Sequence, residues 1–178
     1  MPALVHQFDW PDRVVVGTVG LPGSRTFYLQ VRDGARRASI GLEKEQSAVL
    51  AEKIDEILDA LMADQQNRFS VPAATPAELV DNDPLDQPVE EEFRAGMLRL
   101  AWDPSTAQVV VEAFPLEEES DDEEAEPSEM LLVRMPVGTA RAFVERTRQV
   151  VRSGRPLCPR CGQPVDDDGH VCGAPPAP

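Results

Sequence analysis

The sequence predicts an α+β protein: two βββα-type repeats forming a largely antiparallel sheet packed by two helices, followed by a small C-terminal zinc knuckle. Three observations carry this expectation. Short β-branched runs broken by Gly, Pro and Asp turns recur in both halves of the 178 residues. Each half then closes on a stretch of helical period. Residues 158–172 gather all three cysteines beside one of the two histidines.

Residues 13–20 (RVVVGTVG) read as the first strand, ending in the breaker LPGS. In residues 26–31 (TFYLQV), Phe27, Leu29 and Val31 alternate with Thr26, Tyr28 and Gln30, the period of a half-buried strand. Asp33-Gly34 suits a tight hairpin, and residues 37–42 (RASIGL) return as a third strand.

The period then changes. Leu50, Ile54, Ile57, Leu58 and Leu61 recur at helical spacing from residue 43 to about 62, with Glu52, Lys53, Asp55, Glu56 and Asp59 on the wet side. Residues 72–92 are acidic, Pro-rich and aperiodic, which reads as a linker or long solvated loop.

Structure resumes over residues 93–102, turns at Asp103, Pro104, Ser105 and Thr106, and returns over 107–114. Residues 130–135 (MLLVRM) supply another strand. Pro136 can open a helix, because proline's missing N–H costs nothing in the first turn. Ala140, Phe143, Val144, Thr147 and Val151 mark its apolar face to about residue 152. The expected organisation is therefore a first repeat over 1–71, a linker or loop over 72–92, a second repeat over 93–154 with an acidic insertion at 115–129, and a knuckle with Pro-rich tail over 155–178. A pseudo-two-fold axis could relate the repeats.

The net charge of −15 has a particular distribution. Residues 117–126 hold 8 acids and residues 72–92 hold 7, neither with a base, and the rest of the chain carries 17 of each sign. The charge therefore describes two segments. No apolar run reaches the roughly 20 residues that a membrane helix needs. The N-terminus lacks a secretory h-region. A cytoplasmic protein without membrane contact is expected.

The strongest chemical signal is Cys158-Pro-Arg-Cys161-Gly, followed by His170-Val-Cys172. Cys158, Cys161, His170 and Cys172 make a Cys3His set, which fills all four positions of a tetrahedral zinc ion and leaves none for water. The expected cofactor is thus one structural zinc. A redox pair at Cys158 and Cys161 and a tail too short to fold are the other readings. A disulfide framework would spread its cysteines through the chain.

The last helix and its exit carry Arg134, Arg141, Arg146, Arg148, Arg152, Arg155 and Arg160, with Glu145 the single acid between the first and last of these. Arg141, Arg148, Arg152, Arg155 and Arg160 are candidates for anion or partner binding. The plainer reading is a solvated face that pairs with the chain's own acidic segments. Stacking aromatics for single-stranded nucleic acid are nearly absent there. GTVGLPG over residues 17–23 lacks the pattern of a nucleotide loop and reads as a turn. His6, Asp9 and Asp12 could begin an acid/base constellation. Trp10 and Trp102 read as core or edge-packing residues.

These residues carry a resemblance. Phe8-Asp9, Pro11-Asp12-Arg13, the run GTVGLPGSRTFYLQVRDGA and residues 41–46 (GLEKEQ) are similar to an actinobacterial family catalogued as domain-of-unknown-function family 3090, uncharacterised repeat proteins with a C-terminal Cys/His knuckle. Residues 93–96 (FRAG) and 100–104 (LAWDP) resemble its second half, and the Cys/His set its knuckle. The resemblance implies a cytoplasmic protein with no assigned activity, and supplies no catalytic residue. The family pattern continues in a short basic tail with Asn-Gly and paired Arg, whereas this sequence ends Gly173-Ala-Pro-Pro-Ala-Pro, so no contact through such a tail is expected.

The functional expectation is a non-enzymatic binding or adaptor protein with a protein partner. One alternative is nucleic-acid association through the Arg-rich helix and knuckle. Another is a hydrolase or nuclease using Asp9, Asp12 or Glu43.

Overall fold

The alternating runs become seven strands and two helices in the computed structural model, which describes residues 4–21, 23–64, 71–117, 129–153 and 160. They are β1 (Leu4–Phe8), β2 (Arg13–Val19), β3 (Thr26–Asp33), β4 (Arg36–Leu42), α1 (Lys44–Ala63), β5 (Glu91–Asp103), β6 (Gln108–Pro115), β7 (Glu129–Pro136) and α2 (Val137–Arg152). The strands form one sheet in the order β1-β7-β6-β5-β4-β3-β2. Only β1/β7 and β4/β5 are parallel, so the expected largely antiparallel α+β architecture holds.

The element order β-β-β-α occurs twice, as β2-β3-β4-α1 and β5-β6-β7-α2. The halves follow one another along the sheet. The last strand of the first half meets the first strand of the second, in parallel, so they differ by a step along the sheet. α1 makes the crossover that a parallel β4/β5 pair requires.

β1 has no counterpart in the sequence reading. Its five residues leave Leu4 and Val5 exposed, so no alternation announces it. It is placed by pairing with β7, more than a hundred residues away in the chain. Only residues 9–12 join β1 to β2, yet these strands lie at opposite ends of the sheet order. The sheet must therefore coil. Arg36 of β4 donates to Gln7 O of β1 at 2.6 Å across the closure, and Gln108 of β6 holds the link by donating to Asp9 O at 2.8 Å. Trp10, in the link, is exposed, where a core or edge-packing residue was expected; Trp102 packs against the core.

One apolar core fills the concave side. Val14 and Val16, then Phe27, Leu29 and Val31, then Ile40 and Leu42 meet Leu50, Ile54 and Leu58 of α1 and Phe143 and Val144 of α2. Burying each such side chain stabilises the fold by about 1.5–3 kcal/mol. The register of β5 slips between Ala95 and Leu98, so the core-facing set changes from Phe93 and Ala95 to Leu98, Leu100 and Trp102. Gly96 sits in this bulge because a Cβ there would lie 2.9 Å from Leu116 Cα. Gln46, in the first turn of α1, donates to the carbonyls of Ala95 and Gly96.

The convex side of β2-β3-β4 carries rows of residues in register: Arg13, Arg32 and Arg37, then Val15, Gln30 and Ser39, then Gly17, Tyr28 and Gly41. Residues 81–88 run over this face, in a segment that is a mostly exposed loop but is pinned at its centre. Leu85 is 4% exposed and lies over Gly17, where a Cβ would come within 2.5 Å of it. Gln30 donates to Asp86 O at 3.1 Å and accepts from Asp86 N–H at 2.8 Å. An aperiodic segment is thus held by side-chain to backbone bonds, which leave no periodic signature.

Candidate functional site

Arg141, Arg148 and Arg152 fall on one face of α2, since steps of seven and four residues nearly complete whole helical turns. Opposite them, Asp55 and Asp59 stand one turn apart on α1. Between the helices lies a groove of about 570 Å³, lined also by Glu145 and Gln149. The three arginines are therefore brought together, but among equal numbers of acids.

Arg141 is 6% exposed and its guanidinium is held by groups of the chain itself. It donates to Asp55 Oδ1 at 2.5 Å, to Asp59 Oδ1 at 3.2 Å and to Pro72 O at 2.8 Å. A buried arginine needs such partners, because an unpaired buried charge costs several kcal/mol. Arg141 thus serves as the joint between α1 and α2, and its guanidinium is not offered to an external anion. Arg148 reaches Asp55 Oδ2 at 3.0 Å and stays half-exposed. Arg152 is exposed. Thr75 donates to Glu145 and ties residues 71–76 to the groove's rim. Arg155 lies outside the described residues, and Arg160 makes a contact within the chain.

The sequence reading placed Asp55 and Asp59 on the solvated side of α1 and missed their role. The available signal was their spacing of four residues on a flank of the apolar stripe, facing a helix rich in arginine.

A second charged cluster holds the segment over the convex face. Arg13 donates to Asp81 at 2.7 and 3.1 Å and to the carbonyls of Asp83 and Pro84. Arg32 reaches Asp86 at 2.8 Å. Arg146 of α2 donates to Asp81 and to Val16 O, so α2 also covers the open edge of β2. The Arg13 hydrogen bond holds the Asp81 carboxyl below its usual range, with Arg146 adding to the effect. Burial pulls Arg146 down against the attraction of Asp81. Three arginines side by side would repel. The acids of residues 81–86 compensate them, which accounts for part of the acidic excess.

The remaining candidates have structural partners. Asp12 accepts from Gly34 N–H at 2.7 Å, and Asp9 from the Gln7 side chain at 2.9 Å. Glu43 pairs with Arg94 at 2.6 Å, while its N–H donates to Gln46 at the start of α1. These acids are exposed and hold separate partners. His6 joins neither Asp9 nor Asp12; its Nε2 lies 2.9 Å from Glu129 Oε2 across β1/β7. Arg134 pairs with Asp103 at 2.8 Å. Hydrogen bonds from Ser105 and the Arg134 guanidinium hold Asp103 down to about 2. Cys158, Cys161, His170 and Cys172 lie outside the described residues. No helix among the described residues is long and apolar enough to cross a membrane.

A family model described as a protein of unknown function (DUF3090) matches residues 6–172. No curated protein matches the chain, and no solved structure does.

Proposed function

The chain belongs to the DUF3090 family, whose model spans nearly all of it, and from this premise we propose a non-enzymatic binding protein that takes a protein partner in the groove between α1 and α2. The observation that carries this reading is the balance of the groove. Arg141, Arg148 and Arg152 face Asp55, Asp59 and Glu145, and Arg141 is buried against Asp55, Asp59 and Pro72 O. A polyanion would find little net attraction there, because phosphate binding scales with uncompensated cations. A peptide segment bearing both charges can pair with Arg152 and with the exposed side of Asp59.

Cys158, Cys161, His170 and Cys172 hold a structural zinc in this reading. The support is the donor set itself: three thiolates and one imidazole satisfy tetrahedral zinc without an open position. The ion would staple the segment that follows α2 in the sequence. The two β-β-β-α halves are read as copies of one unit, supported by their identical element order and strand directions.

Affinity capture with the full chain, against Arg152→Glu and Arg148→Glu, tests the partner. Captured proteins that resist nuclease and fall away with charge reversal support the reading. Loss on nuclease treatment favours nucleic acid, and a set unchanged by reversal overturns the groove. Metal analysis tests the knuckle: one zinc per chain, lost in Cys158→Ser, is expected, and no zinc overturns it.

A further inference from the structure

We propose that His6, Glu92 and Glu129 form an open binding site for one divalent transition-metal ion, separate from the Cys/His set. The three residues come from β1, β5 and β7 and are distant in sequence, so the coiled sheet alone brings them together. One ligand atom of each lies within 4.8 Å of the others. His6 Nε2 and Glu129 Oε2 are 2.9 Å apart and both side chains are about four-fifths buried. Glu92 is exposed and forms the open side.

A histidine with one carboxylate would be an ordinary hydrogen bond. The third donor changes its meaning. Glu92 brings a second negative charge to the same point, and among the described residues no Lys or Arg pairs with Glu92 or Glu129. Two carboxylates that converge beside one imidazole repel, and a bound divalent cation offsets that repulsion. One imidazole nitrogen and two carboxylate oxygens suit Zn²⁺, Co²⁺, Fe²⁺ or Mn²⁺, whereas Mg²⁺ and Ca²⁺ prefer oxygen alone. Metal bonds of about 2.0–2.2 Å place tetrahedral donors roughly 3.4 Å apart. Binding would open the His6–Glu129 pair from 2.9 Å and draw the exposed Glu92 carboxylate inward from its present place within 4.8 Å. Three protein ligands leave a position for water, unlike the closed Cys3His set.

Cobalt titration of metal-free full-length protein tests the site, because thiolate coordination gives a charge-transfer band and the His6 site does not. The expected result is a second Co²⁺ per chain that binds without adding to that band. Glu92→Gln, at an exposed position that leaves the fold intact, and Glu129→Gln should each weaken this second binding at least tenfold while the thiolate band stays. No Co²⁺ bound outside the thiolate band, or such binding that both variants retain at unchanged affinity, overturns the proposal, whether or not the thiolate band itself appears.

Discussion

Arg13 and Asp81, 68 residues apart in the chain, meet in a two-pronged ion pair of 2.7 and 3.1 Å that pins the segment around residues 81–86 to the convex face of the sheet. Arg13 is 8% exposed, so its charge depends on this carboxylate and on the carbonyls of Asp83 and Pro84. Asp81→Asn should therefore cost about 1–3 kcal/mol in denaturant unfolding, since it leaves the buried guanidinium only the longer Asp86 pair and two carbonyls. A double-mutant cycle with Arg13→Met should show a coupling of about 1 kcal/mol or more. Additive single effects would deny the pair its role.

The same pair sets an acid limit. Asp81 and Asp103 have lowered pKa values in the folded chain, so the unfolded chain binds their protons more readily. Their stabilisation is full above the unfolded value, roughly pH 4. It is lost as pH falls through the folded values, that of Asp103 being about 2. Thermal midpoints should hold between pH 5 and 7 and drop steeply below about pH 4, and the drop should be shallower in Asp81→Asn.

Gly17 makes room for Leu85. Any Cβ at that position would lie 2.5 Å from the leucine's Cγ. Gly17→Ala should destabilise by about 1–3 kcal/mol through overpacking. Adding Leu85→Ala should cost much less in that background than in the wild type, because the clash is then gone. Equal costs in both backgrounds would mean that the leucine does not rest on the glycine.

Thr147 Oγ1 is fully buried in α2 with no hydrogen-bond partner among the described residues. Thr147→Val replaces the hydroxyl with a methyl of the same shape and should raise stability by about 1 kcal/mol, or roughly 2–4 °C in Tm. A lowered Tm would show that the hydroxyl is satisfied.

The elements with strong period were legible. Leu50, Ile54 and Leu58 announced α1, and Phe27, Leu29 and Val31 announced β3, because burial on one face imposes a spacing on the sequence. What imposes no spacing escaped. β1 is placed by a distant parallel partner, and residues 71–90 are held by single side chains such as Leu85 and Asp86. Of the candidate site, the arginines of α2 were visible. Their counter-charges were not, because a side chain on a helix flank reads as solvated until the neighbouring helix is in place. His6 was visible as a rare residue, but its neighbours Glu92 and Glu129 arrive through the topology.

The central claim is that residues 71–90 belong to the folded body, which leaves the groove between the helices as the face open to a partner. Hydrogen exchange of the amides at Asp83 and Asp86 tests it most directly. The Asp83 N–H donates to Asp81 Oδ1 at 3.0 Å and the Asp86 N–H to Gln30 Oε1 at 2.8 Å. Both should exchange far more slowly than an unstructured chain at pH 7, and Asp81→Asn should release them. Exchange at the rate of an unstructured peptide in the wild-type chain would contradict the account.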